Sequence, residues 1–142
     1  NVKAIGLETA QGMVFTEAYY WDQNDATRAF AARFQRIHGR PPTMFQASMW
    51  GAVTHYLKAV RDARTDATEA VMAKMRELPI DDFMTTNGSI RADGRVIRDM
   101  YLMRAKQPSQ ARGEWDLLEV AQTIPGNEAF RPLAEGGCPL VR

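Results

Sequence analysis

One cysteine, Cys138, and two histidines, His38 and His55, are the whole supply of the side chains that most readily bind soft metals or pair as nucleophile and base. A single thiol closes no internal disulfide, and no Cys/His pair has the close spacing of a zinc site, so neither metal nor cofactor is expected. Catalytic signatures are missing as well. The chain has no GxSxG elbow, HExxH helix, Walker A loop or GxGxxG turn. Gly136-Gly137-Cys138 offers a thiol without a recognisable base. His38 precedes Gly39, where an imidazolium complements a helix C-terminus, and His55 beside Tyr56 suits packing on a helix. No catalytic residue is nominated, and the chain reads as something other than an enzyme.

An excess of charge is absent too. Eighteen Lys and Arg stand against 17 Asp and Glu, a net charge of +1, so nothing argues for nucleic acid as a partner. No apolar run approaches the roughly 20 residues of a membrane span. The chain opens on Asn1 with no initiator Met, basic n-region or apolar h-region, and enters a structured pattern at once. It is therefore expected to be processed or cut from something larger.

What is present is an ordinary core-forming composition. Hydrophobic residues make up 45% of 142, enough for one domain with a real interior. Lys3 to Ala10 suits a short helical turn stopped by Gly12. Met13 to Ala18 is a near-continuous apolar run, which predicts a strand covered on both faces. It meets Tyr19, Tyr20 and Trp21, and Asp22 to Asp25 then turns the chain into a helix. Phe30, Phe34 and Ile37 recur at i, i+4, i+7, with Asp25 as the expected N-cap; Gly39 and Pro41-Pro42 end this helix near His38.

A second helix is expected from about Thr43 to Ala63, with Trp50 on the shoulder of its apolar face. A third starts at a capping-box pair, Asp66 and Glu69, and stops at Pro79. From Asn87-Gly88 the period changes. Asp93-Gly94 signals a hairpin, Arg98 to Lys106 a strand, and Glu114 to Gln122 a returning strand after a polar loop. The tail after Thr123 carries too many Pro and Gly residues for long regular structure. The class is α/β, with three helices between strands and a β-rich C-terminal section.

Two features invite a site. Asp81-Asp82 lacks the alternating ligands of a calcium loop and reads as a turn. Tyr19, Tyr20, Trp21 and Trp50 combine apolar faces with polar tips, which suits either recognition of a small organic solute or packing of the joint between strand and helices.

The stretches GLETAQGMVFTEAYYWDQND, HGRPPTMFQASMWGAVTHYLKAV and MRELPIDDFMTTNGSIRADGRVIRDMYLMRAK, followed by IPGNEAFRPLAEGGCPLV, together resemble periplasmic solute-binding proteins of branched-chain amino acid type ABC transporters. The resemblance runs collinearly through the chain. It implies the C-terminal part of a two-lobed type I periplasmic-binding-protein fold, since such proteins are much longer. On that basis residues 1–142 are a single fragment: 1–22 a second-lobe helix, strand and crossover, 23–98 first-lobe helices and a turn region, and 99–142 second-lobe strands and the tail.

The resemblance further implies a periplasmic location, an ABC permease as partner, and capture of a small carboxylate-bearing solute by hinge closure. The solute would be an amino acid or an aromatic or other organic acid. Trp50 falls where relatives often place a pocket aromatic, frequently Tyr; Asn1 falls where relatives carry an acid facing the ligand; Tyr20 is a further ligand-binding candidate or a hinge residue. A homodimer of the fragment is also expected. The alternative is a cytoplasmic ligand sensor or regulator on the same fold, and after it a small α/β enzyme.

Overall fold

The computed structural model describes residues 1–139 and 141. In chain order the elements are α1 (Val2–Ile5), α2 (Leu7–Ala10), β1 (Val14–Glu17), α3 (Asp25–His38), α4 (Met44–Ala63), α5 (Thr68–Glu77), β2 (Ser89–Ile90), β3 (Val96–Ile97), β4 (Met100–Ala105), β5 (Leu118–Ile124) and α6 (Gly126–Ala129), with 3-10 turns at Pro108–Gln110 and Leu133–Glu135. They pack as two units. One contains Asn1–Met44 and Met100–Ile124; the other contains Phe45–Asp99 and the chain from Pro125 onward. Packing changes over at 44/45, 99/100 and 124/125.

The first unit is built on a three-stranded antiparallel sheet in the order β1-β4-β5. Phe15 pairs with Met103 and Val14 with Arg104, and Met103, on the central strand, is the largest fully buried side chain among the described residues. A bulge shifts the β4–β5 register: Leu102 faces Gln122 and Met103 faces Val120, leaving Ala121 as the extra residue. Strand β1 is an edge strand of this sheet, and it is not covered on both faces. Val14 is exposed and its neighbours alternate, because antiparallel edge strands need only one apolar face. Val2, Ala10 and Ala105 form a small core with Leu7, Phe15, Leu117 and Leu118 packed on it. The opening helix is two single turns, since Gly6 sits between them at φ 87, a left-handed conformation that favours glycine.

Helix α3 matches its expected span, but Asn24 caps it in place of Asp25. The Asn24 side chain accepts from the Thr27 amide, and the buried Thr27 hydroxyl accepts from the Asn24 amide in return. Gly39 closes the helix in the left-handed conformation at φ 72. Strand β5 starts at Leu118, four residues later than the sequence pattern suggests, because Trp115 and Asp116 are committed to holding the preceding loop.

The second unit pairs α4 with α5 and the β2–β3 hairpin. His55 is buried, and its Nε2 donates to the Met75 carbonyl at 2.9 Å, joining α4 to α5. Helix α5 begins at Thr68 with Ala67 at the N-cap and no side-chain capping bond, so the expected Asp66–Glu69 capping box does not form. Leu78, extended ahead of Pro79, ends it. The hairpin turns over Arg91–Arg95, where Arg91 and Asp93 pair at 2.8 Å and hold the Asp93 carboxyl down at about 2.

Candidate functional site

Trp50 lies on α4 with 38% of its surface exposed, its ring 5.2 Å from that of Phe83. The loop that carries Phe83 is tightly organised. Ile80 and Gly88 exchange backbone hydrogen bonds at 2.8 and 3.0 Å and close its base. Asp82 Oδ1 accepts from the Met84 and Thr85 amides, both at 2.8 Å, and Asp81 Oδ1 accepts from the Asn87 amide at 2.7 Å. Both carboxylates therefore serve the turn, as the sequence reading held. The loop also sits hard against the helix: a Cβ at Gly51 would lie 2.8 Å from Asp82 Oδ2. Glycine next to Trp50 is what admits the carboxylate there, a relationship invisible in the spacing of the two residues.

Tyr20 belongs to the other unit and is 8% exposed. Its hydroxyl donates to the Trp115 carbonyl at 3.4 Å and accepts from the Leu118 amide at 3.3 Å. Burial is the main reason its phenol is pushed up to about 12. Asn1 is exposed in the same unit; its carbonyl accepts from the Ala4 and Ile5 amides and its side chain makes no capping bond. Of the three nominated ligand residues, Tyr20 and Asn1 share a unit and Trp50 stands in the second.

Around Tyr20 the structure gathers Trp21, one of the aromatics the sequence singles out, with Trp115, Asp116, Lys106 and Arg112, which the sequence pattern does not mark. Trp21 Nε1 donates to the Trp115 carbonyl at 3.0 Å. Asp116, its side chain 7% exposed, is paired with Lys106 and accepts from Arg112 Nε at 3.0 Å and the Arg112 amide at 3.1 Å. Burial alone would raise the Asp116 carboxyl, but these hydrogen bonds outweigh it and hold the group at about 2. Arg112 Nη2 also reaches Asp22 at 3.2 Å, and Arg28 on α3 holds the other oxygen of Asp22 at 3.0 Å. Between these groups opens a recess of about 400 Å³ walled by Trp21, Trp115, Arg112 and Asp22, with Gln35 and Pro41 from the α3 side. The sequence pattern places Arg112 and Gly113 in a loop and Trp115 and Asp116 in a strand. The Gly-x-Trp-Asp run after a polar loop is the signal that could have marked a pinned turn.

A family model described as periplasmic binding protein matches residues 1–113. The chain belongs to the periplasmic binding protein family. Among solved structures of the family, a periplasmic binding protein from Burkholderia mallei is 42% identical, with a TM-score of 0.96 over 99% of this chain and 37% of that one. A branched-chain amino acid ABC transporter periplasmic ligand-binding protein from Burkholderia xenovorans is 41% identical, with a TM-score of 0.94 over 98% of this chain and 37% of that one. A leucine-, isoleucine-, valine-, threonine- and alanine-binding protein from Brucella ovis, in a closed conformation, shares the fold alone: 17% identity and a TM-score of 0.75, over 93% of this chain and 35% of that one. No curated protein matches. The chain thus has the mixed α/β architecture of the type I periplasmic-binding fold and spans a little over a third of the length of these relatives. The family is one of binding proteins, and the Burkholderia xenovorans relative is a branched-chain amino acid ABC transporter ligand-binding protein.

Proposed function

We propose that this chain is the C-terminal part of the solute-binding subunit of a periplasmic ABC importer. In the complete protein it captures a small carboxylate-bearing solute, an amino acid or an aromatic or other organic acid, by hinge closure, and presents the closed form to an ABC permease. The observation that carries this reading is the family match over residues 1–113 together with relatives above 40% identity. Trp50 is the proposed pocket aromatic; Tyr20 and Asn1 are the proposed further ligand contacts. Exposure of Trp50 beside Phe83, on a helix stiffened by the Asp82 turn, supports the first assignment. The engaged hydroxyl of Tyr20 supports a hinge-packing contribution alongside it. No covalent chemistry is proposed.

In this reading the isolated chain associates. Helix α4 exposes Phe45 (74%), Met49 (66%), Val53 and Leu57 as a stripe, and a second copy covers it in a homodimer. The test of function is calorimetric titration of the complete gene product with a panel of proteinogenic amino acids and aromatic carboxylates. Saturable one-to-one binding of one class is expected. Failure of every panel member, with the protein folded, would contradict the proposal.

A further inference from the structure

We propose that the recess between Trp21, Trp115 and Arg112 is a second ligand site, separate from the Trp50 position, and that it takes a planar aromatic carboxylate. Every wall of this recess comes from one packing unit. Its volume of about 400 Å³ falls in the range of small-molecule pockets. Two indoles line the recess: that of Trp21 is held by its Nε1 hydrogen bond to the Trp115 backbone carbonyl, and the Trp115 ring lies under Lys3 Nζ, 4.0 Å from its centroid. That bond sets the Trp21 side chain before any ligand arrives, which lowers the ordering cost of binding.

Arg112 supplies the polar anchor. Its guanidinium is held from two sides, Nε on Asp116 and Nη2 on Asp22. Nη1 makes no hydrogen bond among the described residues, and the side chain is 76% exposed. A fixed guanidinium with a free edge beside an aromatic wall is suited to a carboxylate on a planar ring: the edge donates to the oxygens while the ring lies against indole. Net charge does not draw the anion in. Asp22 is shared by Arg28 and Arg112, Asp116 by Lys106 and Arg112, Asp25 pairs with Arg28 and Glu114 with Lys3, so the neighbourhood is close to neutral. Recognition rests on the directed guanidinium contact, which predicts a strong dependence on that one side chain.

Three tryptophans, at 21, 50 and 115, give three indole N–H signals in a nitrogen-15 NMR spectrum of the 142-residue chain. They are assigned by Trp→Phe exchange at each position. Sodium benzoate is the probe, with benzamide and benzylamine as the neutral and cationic controls. The Trp21 and Trp115 signals are expected to shift saturably with benzoate while the Trp50 signal stays put; benzamide and benzylamine should bind about tenfold more weakly or not at all. Arg112→Gln should abolish the shift, and Arg112→Lys should weaken it while keeping the charge. Absence of a saturable shift in the unaltered chain would overturn the proposal, as would equal response to benzamide. A shift confined to Trp50 would also overturn it, while leaving the solute-capture reading intact. These wild-type outcomes stand even where a variant fails to fold.

Discussion

The indole of Trp21 donates to the backbone carbonyl of Trp115 at 3.0 Å, and through that bond the segment after β1 is fastened to the loop before β5. The Tyr20 hydroxyl reaches the same carbonyl. Two segments 94 positions apart are therefore held by one acceptor, and the loop that presents it is itself held by Asp116.

That dependence on Asp116 makes a pH prediction. Its carboxyl is held at about 2 against an ordinary 3.8, so the folded form favours the carboxylate. The stability this contributes is complete above about pH 4 and is lost as pH falls towards 2. Asp116→Asn removes that pH dependence and, by leaving the largely buried Lys106 side chain without its partner, costs about 2 kcal/mol at neutral pH. Urea unfolding followed by tryptophan fluorescence between pH 2 and 7 measures both. An unchanged pH profile in the variant would show that the carboxylate contributes nothing to folding.

Gly51 and Asp82 are predicted to be coupled. Gly51→Ala gains helix propensity, about 1 kcal/mol, but places a Cβ 2.8 Å from Asp82 Oδ2 and pushes the carboxylate off the Met84 and Thr85 amides. The single change should destabilise by about 1 kcal/mol net, and the same change in an Asp82→Ala background should be neutral or stabilising. Equal effects in both backgrounds would mean that the loop yields without cost.

The apolar stripe of α4 is predicted to drive association. Light scattering of the purified chain should give a dimer at high concentration, and Phe45→Glu with Leu57→Glu should return it to a monomer with an unchanged far-UV circular dichroism spectrum. A compact monomer at high concentration in the unaltered chain would count against this.

Local signals read well from the chain. The period of Phe30, Phe34 and Ile37 located α3, Gly39 marked its end, and Asp93-Gly94 marked a hairpin, because each depends on neighbours in sequence. Reciprocal contacts were harder. Asn24 displaced Asp25 as the cap since Thr27 could answer it from three residues on. The β5 start moved because Trp115 and Asp116 have partners at positions 20, 21, 106 and 112, and periodicity carries no information about partners. The same reason hid the recess: its walls come from four separate stretches of chain. The family resemblance was legible where no single motif was, because it rested on the whole collinear pattern that the family model matches over residues 1–113.

The central claim is capture of a solute with Trp50 in the pocket, and calorimetry of Trp50→Ala in the complete gene product tests it most directly. With the solute identified from the panel, Trp50→Ala is predicted to weaken binding about tenfold or more while Arg112→Gln leaves it unchanged, and the 142-residue chain alone is predicted to show no tight Trp50-dependent binding. Unaltered affinity in Trp50→Ala, or tight Trp50-dependent one-to-one binding by the monomeric 142-residue chain, would contradict the account.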